Sequence, residues 1–450
     1  MKRKILALLM ASVMALSLVG CSGDSGGSSD AAENDNNSNS GSEDAAGNVA
    51  VSVTEPVTIT LWHTRGAGAN GTEMDRVVAE FNESNEYGIT VEAEYIGGYS
   101  AIMPKTLTSI ASGNNPTLVM SSYQNISTLI EKDALADLTP YIERDDFDMS
   151  NFPEALTPYI YYGDKTVTLP YLVSTTVLFY NKSMFEQAGV SVPTTIEELE
   201  EAGPVIYSKT GVPAFGMPID PTYQQDALLR SLGGEGMIDE DGSTISCLEN
   251  GSFAQLADDW YRWIDAGWCE APNITKAGTE LMENFAQGKL ASFAYSSGSL
   301  SNILEASAGN VDVGVAYMPG YGGQTAGVGG ANIAILEKNH SPQEVAAAWE
   351  FLKFLMQDEQ LAQNAINTGY LPVTNSSAAS DLMQAYWEET PEAKVAYEEL
   401  EWATVPAFSI YTSEWYDQMT NAFSYVVQAQ NMSGEEAAEY LRKQYNSIFD

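Results

Sequence analysis

Cysteine and histidine are nearly missing from this 450-residue chain, which holds 3 Cys and 2 His. So few thiols exclude a disulfide-built scaffold. With no C-x-x-C and no clustered histidines, the usual ligand sets of a zinc site are missing as well. Positive charge is also scarce. With 20 Lys+Arg against 61 Asp+Glu the formal charge is −41, which excludes a nucleic-acid binder and electrostatic docking on anionic lipid. Beyond the amino terminus no apolar run approaches the roughly eighteen residues that span a bilayer. The folded part has neither H-E-x-x-H nor a G-x-S-x-G elbow. Carboxylates are so common that no pair stands out as a glycosidase constellation.

What is present starts with address and anchor. Lys2-Arg3-Lys4 precedes an apolar stretch, Ile5 to Leu18, that ends in Leu18-Val19-Gly20-Cys21. That order reads as a signal peptide over 1–20 closed by a lipobox. It implies cleavage before Cys21 and lipidation of its thiol, and a place on the outer face of a bacterial cell membrane. Residues 21–56 are rich in Ser, Gly, Asn and Asp, bury too little to fold, and read as a flexible tether. One acyl chain binds a membrane only marginally, so two are expected on Cys21. Cys247 and Cys269 are left either to pair with each other or to stay buried and free.

The remainder is long enough for two lobes. Val57 to Trp62 alternates as a strand, Met74, Val77, Val78 and Phe81 share a helical face, and Ile89 to Tyr95 is a second strand. Thr72 is the expected cap of the first helix. Ser100 to Ala111 reads as helix, Thr117 to Met120 and Thr175 to Tyr180 as strands. Thr194 with Glu197 reads as a capping box for a helix ended by Gly203-Pro204, and Ser341-Pro342-Gln343-Glu344 as a stronger one. Tyr411 to Gln428 and Gly434 to Ile448 read as helices. Strand and helix alternate, which predicts an α/β architecture on largely parallel sheets.

Gly66-Ala67-Gly68-Ala69-Asn70-Gly71 spells G-x-G-x-x-G between strand and helix. The first glycine falls too far past Trp62 for the tight turn a dinucleotide needs, so the loop is read as bringing backbone amides to a ligand. Trp62 and His63 close the first strand, where open α/β sheets bind ligands. Tyrosines at Tyr99, Tyr123, Tyr171, Tyr223, Tyr295, Tyr370 and Tyr411 offer a flat apolar face with a polar tip, the shape that suits a sugar ring.

Gly163 to Gly189, with its strand ending Tyr180-Asn181-Lys182 and Phe185 and Gly189 beyond, resembles the signature of the family 1 extracellular solute-binding proteins. Trp62-His63, Gly97-Gly98-Tyr99, Gly113-Asn114-x-Pro116, Ser296-Ser297-Gly298-Ser299-Leu300, Gly329-Gly330-Ala331 and Thr368-Gly369-Tyr370-Leu371-Pro372 are most similar to the glycerol-3-phosphate-binding group. That resemblance implies ligand contacts at Tyr99, Ser174, Ser296 or Ser297, Gly330 and Tyr370. Tyr123 and Gln124 stand where that group has an acidic residue, and Tyr223 near its tryptophan. Asn332 and Tyr411 complete the candidate set. The group's late arginine is absent: Phe408 to Trp415 has no Arg or Lys. Bidentate anion recognition there is lost, which moves the expectation toward a neutral sugar, oligosaccharide or polyol, with glycerol-3-phosphate or a glycerophosphodiester as the alternative.

The resemblance further implies a type II, two-lobed fold with a hinge and a ligand cleft. The lobes are expected at 57–168 plus 331–370 and at 170–328 plus 372–450, with crossings near Thr168–Tyr171, Gly327–Ala331 and Tyr370–Val373. It implies no catalysis, no cofactor, a monomer, and delivery to two permease subunits with a cytoplasmic ATPase. An extracellular carbohydrate-active enzyme, a secreted Rossmann oxidoreductase and an adhesive lipoprotein are the rival readings.

Overall fold

Period-two burial drives the first strand. In β1 (Val57–His63) Ile59, Leu61 and His63 are buried on one face. The structure, a computed structural model, describes residues 50–157, 160–219, 222–239, 244–273, 277–407 and 411–449. The signal peptide, Cys21 and most of the tether therefore lie outside the described residues. The other main strands are β2 (Ile89–Tyr95), β3 (Leu118–Ser122), β4 (Leu169–Asn181), β5 (Ser292–Ser296), β6 (Val313–Tyr317) and β7 (Val328–Ile335).

These form a seven-stranded sheet in the order β2-β1-β3-β7-β4-β5, with β6 also on β4. β1 is parallel to β2 and β3, but β7 runs antiparallel to both β3 and β4, and β4 antiparallel to β5 and β6. The expectation of largely parallel sheets is corrected here: parallel pairing is confined to the first three strands. β4 is the reason. It spans 13 residues, and its first half pairs with β7 while Thr176–Asn181 pairs with β5 and β6. One continuous strand thus serves both halves of the sheet. The Thr175 to Tyr180 reading caught only its second half, because Pro170 hides the start.

Helices cover both faces. Ala69–Ser84 and Pro342–Leu355 bury Met74, Val77, Phe81, Trp349 and Leu352 against one face in a core that continues through Phe179 and Phe293. On the other face Ile102, Met103, Ile126 and Leu129 pack under Val119. A separate core lies among Ser252–Asp265, Thr412–Val427 and Gly434–Phe449, holding Trp260, Trp263, Trp415 and Phe423. Cys247 and Cys269 are buried there as free thiols, and burial pushes both well above the usual thiol range.

Two caps differ from the sequence pattern. The first helix begins at Ala69 after Gly68, so Thr72 sits inside its first turn. The helix expected to end at Gly203-Pro204 runs Ile196–Thr210, capped by Thr195. Gly203 is there for packing: a Cβ on it would lie 2.4 Å from the Trp268 ring. The Ser341 capping box is present in full, with both of its hydrogen bonds to Glu344.

Candidate functional site

β4, β7 and the segment after helix Asp358–Thr368 meet at Val173. Val173 of β4 pairs with Gly330 of β7 and bridges Leu371, whose N–H donates to the Val173 carbonyl at 2.7 Å. Around this point the chain gathers hydroxyls and rings. Ser296 Oγ donates to Ser174 Oγ at 2.9 Å. The Gly298 N–H donates to Ser296 Oγ at 3.2 Å, and the Thr175 N–H to Ser297 Oγ at 3.3 Å. Ser174 pairs with Gly329, where any Cβ would collide with the Tyr223 ring at 2.6 Å. Gly298 allows the same close approach for Tyr370, at 2.7 Å from a Cβ. Gly330 has φ 135°, a conformation that glycine alone adopts without strain.

The rings join this floor to the first three strands. The Tyr99 and Tyr370 side chains are hydrogen-bonded to each other. Burial, the main influence, raises the Tyr370 hydroxyl above its usual range. Tyr99 is held by Asn125, whose Nδ2 donates to its carbonyl at 3.3 Å. The Arg65 guanidinium lies over the Tyr370 ring, 5.7 Å from its centre. Arg65 also donates to Asn364 Oδ1 at 2.6 Å and Asn70 Oδ1 at 3.0 Å.

Ser174 with Ser296 and Tyr99 with Tyr370 are therefore in direct contact, and Ser297, Gly330 and Tyr223 join them through Thr175, Val173 and Gly329. The remaining candidates sit elsewhere. Trp62 is half-buried against the Ile102 and Met103 cluster. His63 is buried on the opposite face, and its Nδ1 accepts from the Arg65 N–H at 3.3 Å. Burial, helped by Arg65, pulls the imidazole down to about 4 and leaves it neutral. Asn332 is 1% exposed and donates to Thr168 Oγ1 at 2.8 Å. The Tyr411 ring lies 5.9 Å from that of Trp415, tilted by 37°, beside the second core. Tyr123 and Gln124 open helix Tyr123–Glu131, but their side chains lie outside the described residues, as do Phe408 to Ile410. Tyr171, one of the tyrosines expected to offer its face to a sugar ring, is a fully buried residue of β4.

Sequence reasoning did not single out Arg65, Asn70 or Asn364. A signal existed: Arg65 is the one cation of the glycine loop, directly after the strand end, in a chain with few cations.

Gly68, with φ 87°, caps the first helix. A Cβ on Gly71 would lie 2.1 Å from the Gly66 carbonyl oxygen. The glycines thus fold the loop on itself and turn it toward Asn302, whose Oδ1 accepts from the Ala69 N–H at 3.3 Å. Among the described residues no three His, Cys, Asp or Glu side chains are grouped to hold a metal, and no helix is long and apolar enough to cross a membrane.

The family model described as bacterial extracellular solute-binding protein matches residues 76–392. The sn-glycerol-3-phosphate-binding periplasmic protein UgpB of Salmonella paratyphi A is 26% identical over 359 residues, 75% of this chain and 79% of that protein. Among solved structures, UgpB from Mycobacterium tuberculosis in complex with glycerophosphocholine superposes with TM-score 0.77 at 20% identity, over 88% of this chain and 99% of the other. The ABC substrate-binding protein Lmo0181 from Listeria monocytogenes, in complex with cycloalternan, gives TM-score 0.76 at 23% identity over 88% and 99%. A match over most of the chain, on a sheet whose halves share β4 and β7, decides the assignment: this chain belongs to the bacterial extracellular solute-binding proteins and has their two-lobed type II fold.

Proposed function

We propose that this chain is the lipid-anchored binding subunit of an ABC importer and captures a carbohydrate-like solute, a sugar, oligosaccharide or polyol, between two lobes. The lobes are 57–168 plus 331–370 and 170–328 plus 372–450. One observation carries this reading: the linked set of Ser174, Ser296, Tyr223, Tyr370 and Tyr99 gathers where β4, β7 and Leu371 lie side by side. Hydroxyls beside tyrosine rings supply both the polar edge and the apolar face that a sugar needs. The solute closes the lobes because it touches both only in the closed form. The closed form docks on two permease subunits driven by a cytoplasmic ATPase, with Cys21 holding the chain to the membrane. No bond in the solute changes.

The test is a thermal-shift screen of the chain from Ser22 against sugars, polyols, glycerophosphodiesters, amino acids and peptides. A solute that binds only the folded state adds about 2.7 kcal/mol at a hundredfold excess over Kd, so a true ligand is visible. A flat response to every carbohydrate, with a shift for amino acids or peptides, would overturn the reading.

A further inference from the structure

Arg65 is a buried cation without an anion. It is 3% exposed, and among the described residues it forms no ion pair. Two of its five N–H groups are used, on Asn364 and Asn70. Its Nε–H donates to nothing. Two more donors end nearby in the same condition. Asn364 is fully buried, gives its Oδ1 to Arg65, and has no acceptor for its Nδ2. The Tyr171 hydroxyl, fully buried, lies within reach of the Arg65 guanidinium, and its own O–H has no acceptor. His63, the neighbouring imidazole, accepts from the Arg65 backbone and takes no part.

The unmet groups of this cluster are donors set beside Arg65, with the Glu73–Arg76 ion pair also acting on Tyr171. A buried unpaired charge destabilises the fold, and an unmade buried hydrogen bond adds to it. A carboxylate or phosphate oxygen group accepts only, carries the opposite charge and matches a guanidinium fork. The position suits a solute. Tyr370, which lies over Arg65, is part of the linked site. The loop carrying Arg65 is covered by the 298–302 segment: Asn70 Nδ2 contacts the Gly298 carbonyl at 3.5 Å, and Ala69 contacts Asn302. In the proposed division that cover belongs to the other lobe, so parting the lobes uncovers the loop.

We propose that Arg65, with Asn364 and Tyr171, forms a subsite for an acidic group, and that the captured solute is a polyol or sugar bearing a phosphate ester or carboxylate. This rests on the capture reading above. It replaces the missing cation of the Phe408 to Trp415 segment with one from the opposite end of the chain.

The experiment compares the chain from Ser22 with its Arg65→Gln and Tyr171→Phe variants. Melting temperature is followed against glycerol-3-phosphate, glycerophosphocholine, glucuronate, inorganic phosphate and uncharged glycerol and oligosaccharides, at constant ionic strength. An acidic solute should stabilise the wild type, with half-saturation at least tenfold weaker in Arg65→Gln and weakened to a lesser degree in Tyr171→Phe. In the absence of anions Arg65→Gln should melt no lower than wild type, which separates this role from a plain brace between the loop and helix Asp358–Thr368. An equal anion response in wild type and Arg65→Gln overturns the proposal. So does a response to inorganic phosphate that no acidic solute exceeds, or a shift with neutral oligosaccharides alone. That last outcome leaves the capture reading intact, whereas silence toward every solute removes both. If Arg65→Gln does not fold, Tyr171→Phe and Arg65→Lys carry the comparison.

Discussion

Replacing Glu399 by Gln tests the crossing strand through its pH dependence. Glu399 is fully buried. Its Oε2 meets Thr175 Oγ1 at 2.7 Å, and its Oε1 accepts from the Met318 N–H at 3.1 Å. Thr175 Oγ1 also donates to the Ala396 carbonyl at 3.2 Å. A neutral acid satisfies all three contacts: its own O–H donates to Thr175, which passes its proton on to Ala396. Burial therefore raises this carboxyl well above its ordinary range.

The folded state then binds a proton that the unfolded chain releases first. Stability is highest below the ordinary glutamate value and falls as pH rises toward the folded one, by at most about 1.4 kcal/mol per pH unit. Gln keeps the donor to Thr175 and the acceptor for Met318 but does not titrate. Urea unfolding of both proteins from about pH 5 upward should show the variant gaining on wild type as pH rises, by no more than that slope. For a chain of this size each kcal/mol corresponds to roughly 1–3 °C in Tm. A wild-type-minus-variant difference that stays flat with pH would show that Glu399 is ionised in the fold and refute the argument.

Three further substitutions have defined outcomes. Tyr370→Ala should weaken solute binding about tenfold or more while the melting curve remains cooperative, as read by calorimetric titration, and Trp62→Ala, packed on the Ile102 cluster outside the linked set, should weaken it less; equal affinity of wild type and Tyr370→Ala would remove Tyr370 from the site. Gly203→Ala places a methyl 2.4 Å from the Trp268 ring and should cost about 1–3 kcal/mol in urea unfolding, with no loss meaning that the helix shifts freely on Trp268.

Local signals were readable wherever chain-local physics decides. The alternation of Val57 to Trp62, the face of Met74, Val77, Val78 and Phe81, and the box at Ser341 each depend on residues within a few positions. Gly203-Pro204 misled because the glycine answers to Trp268, far away in sequence. Strand direction misled for the same reason: β3 pairs with β7, more than two hundred residues on, and nothing local to either strand states its orientation. In the site, the Ser-Ser-Gly and Gly-Tyr-Leu-Pro motifs pointed to residues that meet. Arg65 stood out only as a rare cation after the strand end, and its meaning comes from Asn364 and Tyr171, which other segments supply.

The pairing of β3 with β7 governs how the polypeptide can be made. Until Val328–Ile335 has emerged from the ribosome, β3 presents an open edge, and the early sheet consists of β1, β2 and β3 alone. Such late closure raises contact order and slows folding. An exposed apolar edge during that delay invites aggregation. A nascent chain stalled before Val328 should thus be chaperone-dependent and protease-sensitive, and no amino-terminal fragment that omits this segment should behave as an independent lobe.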